Sequence, residues 1–500
     1  MEITNNSNLL ADILATIKQV PQNNAFVIED KAYTYKELGS YTATVYQCIS
    51  NLEDETIGIV AGNNIETYAS ILAVLFSGKT YVILHPSYPK SRNLKIAGLA
   101  GLHTVICSGR DGYEYLSQHD IRLISPDMES AHSIEAITYT ASGDKNAYII
   151  FTSGSTGEPK GVPISRNNLN AFYKAYHNIG WKLDSSDRML QMFELTFDVS
   201  VVSTLYPLAI GACIYTVGYK DVKYLKVFEL LEQYELTFAA VAPSVLQLIS
   251  PYFDEIDLPS LKYLVVTAEA SQTELLERFR KSIPNAEIYN LYGPTEATIY
   301  CTYYHVPRQE ACKQHNGMVA IGKPFEGIDV IITDEDGNKM PHGTLGEMWV
   351  SGPQVMNGYF NDPQKSAQAL VKTAGGTLYY KTGDLCIMDD DEDIIYCGRK
   401  DYQVKIQGFR IELSEIEYTA KQYFEQTPNI VVIPVLSAGI CSELHMAVET
   451  PSCDKEALYN YLGQKLPHYM LPKHIHCIEQ FPTTASNKID RKQIFQLINH

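Results

Sequence analysis

The sequence predicts an α/β protein. A large N-terminal part of parallel-rich sheets with helices carries a small β-rich portion and is followed by a small α+β domain. Three observations predict this. Through the first 330 residues, short apolar runs alternate with amphipathic helical segments. From about Val330 the helical segments give way to strand–turn–strand patterns. After Lys400 the remaining residues hold two amphipathic segments and a strand of their own, enough for a separate domain. The expected divisions are residues 1–400, with a β-rich subdomain at about 330–400, and residues 401–500.

The elements follow in order. "YTYKELGSYTATVYQCISNL" has the apolar spacing of a helix facing a core. "TIGIVAG", "TYVILH", "HTVICS" and "AYIIFT" are short buried strands, and "ETYASILAVLFSG" is a buried helix between the first two. "YELTFAAVAPSVLQLI" and "LKYLVVTAEASQTELLERFR" repeat the strand-then-helix rhythm. "DVIITDEDGNKMP" and "GEMWVSG" are strands joined by an Asp-Gly turn, and "LYYKTGDLCIMDDDEDIIYCGRK" is a second strand–turn–strand unit. Its acidic run, Asp389 to Asp393, is expected to be a solvated hairpin turn. Beyond Lys400, "LSEIEYTAKQYF" and "KEALYNYLGQKL" are helices and "IVVIPVL" is a strand.

Composition narrows the function. The 500 residues are 45% hydrophobic and 20% charged, with a formal net charge of -18 and no basic block. A protein that grips nucleic-acid phosphates needs a basic stripe, so nucleic acid is not an expected partner. No apolar run reaches the roughly 18 residues of a membrane span, and the N-terminus lacks a basic signal-peptide region. Ten cysteines without a C-x-x-C pair or a Cys/His cluster point to reduced thiols in a cytoplasmic protein, not to a disulfide framework or structural zinc.

The chemistry begins at "IIFTSGSTGEPKGVPIS", residues 149–165. Ligands of α/β sheets bind beyond the C-terminal ends of strands, which is where this loop falls. Gly154 and Gly157 permit close approach of a ligand. Thr152, Ser153, Ser155 and Thr156 supply donors, and Lys160 supplies a cation, which together make a polyphosphate cradle. It is not a Walker loop. Pro159 stands where the final Gly would be and disfavours a helix, so the loop should not run into an anion-binding helix.

"FTSGSTGEPKG" resembles the phosphate loop of the adenylate-forming superfamily, which includes acyl-CoA synthetases, firefly luciferase and the adenylation domains of peptide synthetases. Distant motifs in the family's order extend the resemblance over nearly the whole chain. "NLYGPTEAT" resembles the adenine-and-metal motif. The resemblance implies that Tyr292 stacks on adenine and that Asn290 lies near its exocyclic amine. Gly293 belongs to the same turn, Thr295 contacts the α-phosphate of ATP and Glu296 holds Mg²⁺. "YKTGDL" places Asp384 at the ribose hydroxyls. "YCGRKDYQVKIQGFRIELSEIE" places Arg399 at ribose or phosphate, Asp401 at the pivot of a mobile C-terminal domain and Gly408 in a pantetheine tunnel. "SNKIDRK" supplies Lys488, matching the adenylation lysine, which acts with Thr152, Lys160 and Glu296 in catalysis.

The substrate is read from "FELTFDVSVVSTLYPLAIGA". Amino-acid-activating members pair the Asp of Phe-Asp-x-Ser with the substrate ammonium, and here that residue is Asp198. By the same resemblance the pocket is lined by Val199, Val202, Ala240, Val266, Ala268, Leu291, Ile299 and Tyr300. This lining has no second charge and implies an uncharged amino acid of small or medium size. The chain ends soon after Lys488 with no carrier domain, so it is similar to stand-alone amino-acid adenylation enzymes such as D-alanine:D-alanyl-carrier-protein ligases. Such ligases often carry a pocket Cys in the segment matching "VVTAEAS", where Thr267 or Ala268 stands here. The expected partner is a phosphopantetheinyl carrier protein. Residues 401–500, with 9 Lys/Arg against 11 Asp/Glu, are the less repulsive docking face for an acidic carrier. The alternatives are an acyl- or aryl-CoA ligase, or a nucleotide-binding scaffold without catalysis.

Overall fold

The computed structural model describes residues 7–109, 112–129, 132–139, 143–154, 158–373, 375–401, 403–437, 440–483 and 489–498. The chain divides into two compact units. One comprises residues 1–86, 97–150 and 161–400; the other comprises 87–96, 151–160 and 401–500.

The larger unit is built on two mostly parallel sheets. The nine-stranded sheet has six parallel strands at its centre, in the spatial order Glu287–Tyr292, Tyr263–Thr267, Phe238–Val241, Arg188–Gln191, Cys213–Thr216 and Asn24–Ile28. Antiparallel strands close both edges. The six-stranded sheet runs Arg122–Ile124, Thr104–Ile106, Thr56–Val60, Thr80–Leu84, Asn146–Thr152 and Lys160–Ser165, with its first five strands parallel. Strands covered on both faces read as continuous apolar runs, which is why "TIGIV" and "TYVIL" lack alternation.

Helices cover these sheets where the pattern predicts them. Tyr35–Ile49 starts with a capping box: Thr34 accepts from the Glu37 N–H, and the Glu37 carboxylate accepts from the Thr34 N–H. Ile65–Phe76 is buried along almost its whole length. Its last turn is held by Arg166, whose buried guanidinium donates to the carbonyls of Leu75 (2.9 Å), Lys79 (2.9 Å) and Asn146 (2.6 Å). A single cation thus bridges carbonyls of the helix's last turn, of Lys79 after it and of Asn146 at the start of strand Asn146–Thr152.

The β-rich portion is an antiparallel sheet of Asp329–Thr333, Gly346–Ser351, Leu378–Met388, Leu370–Lys372 and Ile394–Arg399. The run Asp389 to Asp393 does form the hairpin turn between two of these strands, but it is not merely solvated. Lys313 Nζ sits 2.7, 2.8 and 2.7 Å from carboxylate oxygens of Asp389, Asp391 and Asp393. Burial alone would raise the Asp389 carboxyl, yet the Lys313 ammonium and backbone N–H groups outweigh it and hold it below the usual range. The sequence could not show this, because the cation lies far away in the chain.

The smaller unit has a hairpin, Gln403–Ile406 with Phe409–Glu412, and a three-stranded sheet of Ile430–Ser437, Ile440–Glu449 and His474–Ile478. Helices Leu413–Lys421, Lys455–Gly463 and Arg491–Ile498 accompany them. Within this unit Arg92 and Glu415 form an ion pair at 2.8 Å, with side chains 6% and 1% exposed. Burial pushes the Glu415 carboxyl above its ordinary value despite the guanidinium beside it.

Removing one partner of such a pair leaves an uncompensated buried charge, at a cost of about 3–5 kcal/mol. We expect Arg92→Ala to lower the unfolding free energy of the smaller unit, measured by urea denaturation, by that amount. The double variant Arg92→Met/Glu415→Leu should recover most of the loss. Equal destabilisation by single and double variants in equilibrium unfolding would contradict the pairing.

Candidate active site

The C-terminal ends of the parallel strands in the larger unit carry most of the residues expected to act. Strand Glu287–Tyr292 ends in the turn Gly293–Pro294, followed by the short 3₁₀ turn Thr295–Ala297. A Cβ on Gly293 would lie 2.5 Å from the Ile299 carbonyl oxygen and 2.6 Å from the Tyr300 Cα, so only glycine fits that crossing. Thr298 and Ile299 are both left-handed, at φ 58° and 72°. Two successive β-branched residues in that region are strained, and strain of this kind persists only when the surroundings fix it. Gln354 does the fixing. Its Nε2 donates to the Tyr300 carbonyl at 2.8 Å, and its own carbonyl accepts from the Thr298 hydroxyl at 2.5 Å.

Three of the expected nucleotide contacts form one linked group. Tyr292 donates its hydroxyl to one oxygen of Asp384, and Arg399 donates to the other at 2.7 Å. Asp384 and Arg399 lie opposite each other on neighbouring antiparallel strands. Burial and the Asp384 charge push the Tyr292 hydroxyl well above its ordinary pKa, so it remains a donor. Asn290, buried on the same strand as Tyr292, donates to the Ala320 carbonyl at 2.9 Å and so anchors a neighbouring segment. Glu296 is fully buried, and its carboxylate accepts from the Tyr359 hydroxyl at 2.8 Å. A lone carboxylate is a donor set suited to Mg²⁺, which keeps most of its ligands as water and phosphate oxygens. Sequence reasoning missed Gln354 and Tyr359. Both lie in "GEMWVSGPQVMNGY", a stretch with no charged or metal-binding pattern to single them out.

Asp198 stands at the N-cap position of the helix Val199–Ile210, yet its side chain makes no capping hydrogen bond. Its carboxylate is only 8% exposed. Its charge raises the pKa of two buried phenols, Tyr148 and Tyr300, after burial itself. Tyr148, whose buried hydroxyl makes no hydrogen bond, was not foreseen. Both phenols stay protonated, so they add no further negative charge near the carboxylate.

The strand register divides the expected lining. Ala240 pairs with Val265, and Thr267 pairs with Leu291, so Ala240, Val265, Thr267 and Leu291 share one face. Val266 pairs with Val241 and Asn290 and points to the opposite face. The Thr267 hydroxyl lies beside that of Tyr300. Of the expected lining, Val266 is thus separated from Ala240 and Leu291, whose face carries Val265 and Thr267 instead. Ala268 lies past the strand end in the left-handed region, at φ 69°. Val199, Val202, Leu291, Ile299 and Tyr300 are buried apolar or aromatic residues, as expected of a lining.

The phosphate loop belongs to the smaller unit. It runs into the strand Lys160–Ser165 and not into a helix, as Pro159 requires. Its early donors are already engaged within that unit. Ser153 donates to the Arg410 carbonyl at 3.0 Å and accepts from the Glu412 N–H at 3.2 Å. The Gly154 N–H donates to Glu415 at 3.3 Å. A Cβ on Gly154 would sit 2.1 Å from the Glu158 carbonyl oxygen, so only glycine fits this approach. The Thr152 hydroxyl is buried and makes no hydrogen bond. Lys160 opens the following strand and is half-buried. Asp401 begins the C-terminal segment of this unit and accepts from the Gln403 N–H at 3.2 Å. Ser155, Thr156, Gly157 and Lys488 lie outside the described residues.

Comparison with known proteins agrees with this arrangement. The family model "AMP-binding enzyme" matches residues 14–360. Zwittermicin A synthase ZmaJ of Bacillus cereus is 31% identical, over 95% of this chain and 92% of its own. A D-alanine–D-alanyl carrier protein ligase of Lacticaseibacillus rhamnosus is 30% identical over 99% of both chains. Among solved structures, the Vibrio cholerae adenylation domain AlmE, in complex with glycyl-adenosine-5'-phosphate, superposes with a TM-score of 0.87. It is 26% identical and covers 100% of this chain and 99% of its own. The chain belongs to the AMP-binding enzyme family and is an ATP-dependent, AMP-forming ligase.

Proposed function

We propose that the protein activates an uncharged amino acid of small or medium size as its adenylate and passes the aminoacyl group to the phosphopantetheine thiol of a carrier protein. The observation that carries the reading is the buried Asp198 carboxylate at the start of its helix, making no cap and near two protonated phenols. A carboxylate in such surroundings is stabilised by a cation, and an α-ammonium is one. The pairing would also keep the substrate amine protonated, so that only the carboxylate is a nucleophile. The relatives support the class: one acts on a D-alanyl carrier protein and one solved relative holds a glycyl adenylate.

In the first step a substrate carboxylate oxygen attacks the α-phosphorus of ATP. The bond from that phosphorus to the bridging oxygen breaks, and pyrophosphate leaves. Catalysis here is positioning and charge neutralisation. Tyr292, Asp384 and Arg399 hold the nucleoside, and Asn290 and Gly293 shape its seat. Thr295 contacts the α-phosphate, the loop from Thr152 to Lys160 holds the pyrophosphate, and Lys488 neutralises the oxygens that gain charge. Mg²⁺, held by Glu296, supplies Lewis-acid neutralisation of the phosphates when bound. In the second step the carrier thiol attacks the acyl carbon, the bond to the adenylate oxygen breaks and AMP leaves. We place the pivot for this exchange at Asp401, supported by the division of the chain between Lys400 and Asp401.

Amino-acid-dependent ATP–pyrophosphate exchange over L- and D-amino acids tests the proposal. One or a few small uncharged amino acids should support exchange, and Asp198→Ala should reduce it at least about a hundredfold. Exchange with octanoate or benzoate alone would replace this reading with a CoA ligase. No exchange with any acid would leave a scaffold. Lys488→Ala should abolish adenylate formation while leaving thioester formation from preformed adenylate within a few-fold of wild type. Equal loss of both half-reactions in single-turnover assays would refute the role given to Lys488.

A further inference from the structure

Four side chains of the smaller unit, remote in sequence from every motif discussed so far, share one face of its three-stranded sheet. Glu443 and His445 alternate on the strand Ile440–Glu449, and His474 and His476 alternate on the strand His474–Ile478. The two strands pair in parallel with His445 directly opposite His474. Residues two apart on a strand point the same way, so this register stacks the imidazoles and the carboxylate together. The ligand atoms of Glu443, His445 and His474 all lie within 4.8 Å of one another. His445 Nε2 is 3.0 Å from Glu443 Oε1. In a tetrahedral site with bonds of about 2.1 Å, neighbouring donors are separated by about 3.4 Å, so this edge already has nearly the spacing an ion needs.

No hydrogen bond claims the far side of the His445 ring or Nε2 of the neighbouring His476. His445 is 7% exposed, and its Nδ1 is buried with no hydrogen-bond partner. The buried Nε2 of His476, whose ring stacks on His445 at 5.3 Å, makes no hydrogen bond either. Polar atoms are rarely left so inside a sheet. By contrast His474 is exposed, which opens the group to solvent and lets its ring turn to complete the set. Lys473 binds the second carboxylate oxygen of Glu443, which orients the carboxylate with Oε1 towards His445.

We propose that Glu443, His445 and His474 form a binding site for a divalent transition-metal ion, with Zn²⁺ the best match. Two imidazoles and one carboxylate suit Zn²⁺ and its first-row neighbours, not Mg²⁺ or Ca²⁺, which take all-oxygen sets. Three protein ligands leave a fourth position for water. The strand His474–Ile478 is at the edge of its sheet and the strand Ile440–Glu449 is at the centre, so the ion would cross-link edge to centre. The ion would thereby stabilise the smaller unit. Sequence spacing could not reveal this site, because a stretch containing a whole helix separates the two His-bearing strands.

The full chain, stripped with EDTA and dialysed, is titrated with ZnCl₂ in the presence of 10 mM Mg²⁺ and without nucleotide. One equivalent should bind with micromolar or tighter affinity and raise the melting temperature of the smaller unit. His474→Gln, at an exposed position that does not threaten folding, should weaken binding at least tenfold, and so should Glu443→Gln. His342→Gln, at an exposed histidine on the larger unit, should leave it unchanged. Substitution with Co²⁺ should give the visible absorption of a low-coordinate site, and His474→Gln should lose it. No stoichiometric uptake, or uptake that survives both His474→Gln and Glu443→Gln, would overturn the proposal.

Discussion

A carboxylate kept almost out of water at the head of a helix is the constraint on which the proposed specificity depends. Asp198 could cap the helix Val199–Ile210 and does not. The surrounding structure keeps it buried, and its charge is felt by two protonated phenols. Holding a charge in that setting costs free energy that a well-placed cation returns. Aryl and fatty acids bring no cation. An amino acid does, which is why the proposed function assigns it as the substrate.

The rest of the larger unit makes that geometry possible. Parallel strands end at one rim of the sheet, and the turn after Tyr292 is forced close by Gly293. Thr298 and Ile299 hold strained conformations there because Gln354 ties the turn to the β-rich portion by hydrogen bonds on both sides. Tyr359 does the same for Glu296. The residues proposed to meet ligands are thus held by hydrogen bonds from the β-rich portion. In the smaller unit, the first residues of the phosphate loop are likewise gripped, Ser153 by the backbone of the hairpin and Gly154 by Glu415.

Much of this was legible in the sequence, for identifiable reasons. Buried parallel strands and amphipathic helices announce themselves by continuous and periodic apolar patterns, so "TIGIV", "AYIIFT" and "YTYKELGSYTATVY" fell where expected. Pro159 excluded a Walker helix by a local rule, and the loop does enter a strand. What escaped were relations across long sequence distances. Lys313 bridges three carboxylates of an acidic turn read as solvated. Tyr148 joins Asp198 from another sheet. The separation of Val266 from Ala240 and Leu291 has a simpler cause: strand polarity alternates at every residue, so a shift of one position reverses the face. The histidines of the small sheet needed a parallel register that no local pattern encodes.

The central claim concerns one charge pair, and binding tests it without turnover. The affinities to compare are those of a non-hydrolysable aminoacyl-sulfamoyl adenosine and of its des-amino counterpart, on the wild-type protein and on Asp198→Asn. The account predicts that the ammonium strengthens wild-type binding by about a hundredfold or more, and that Asp198→Asn removes most of this difference. Equal affinities on the wild-type protein, or a preference that survives Asp198→Asn, would contradict it.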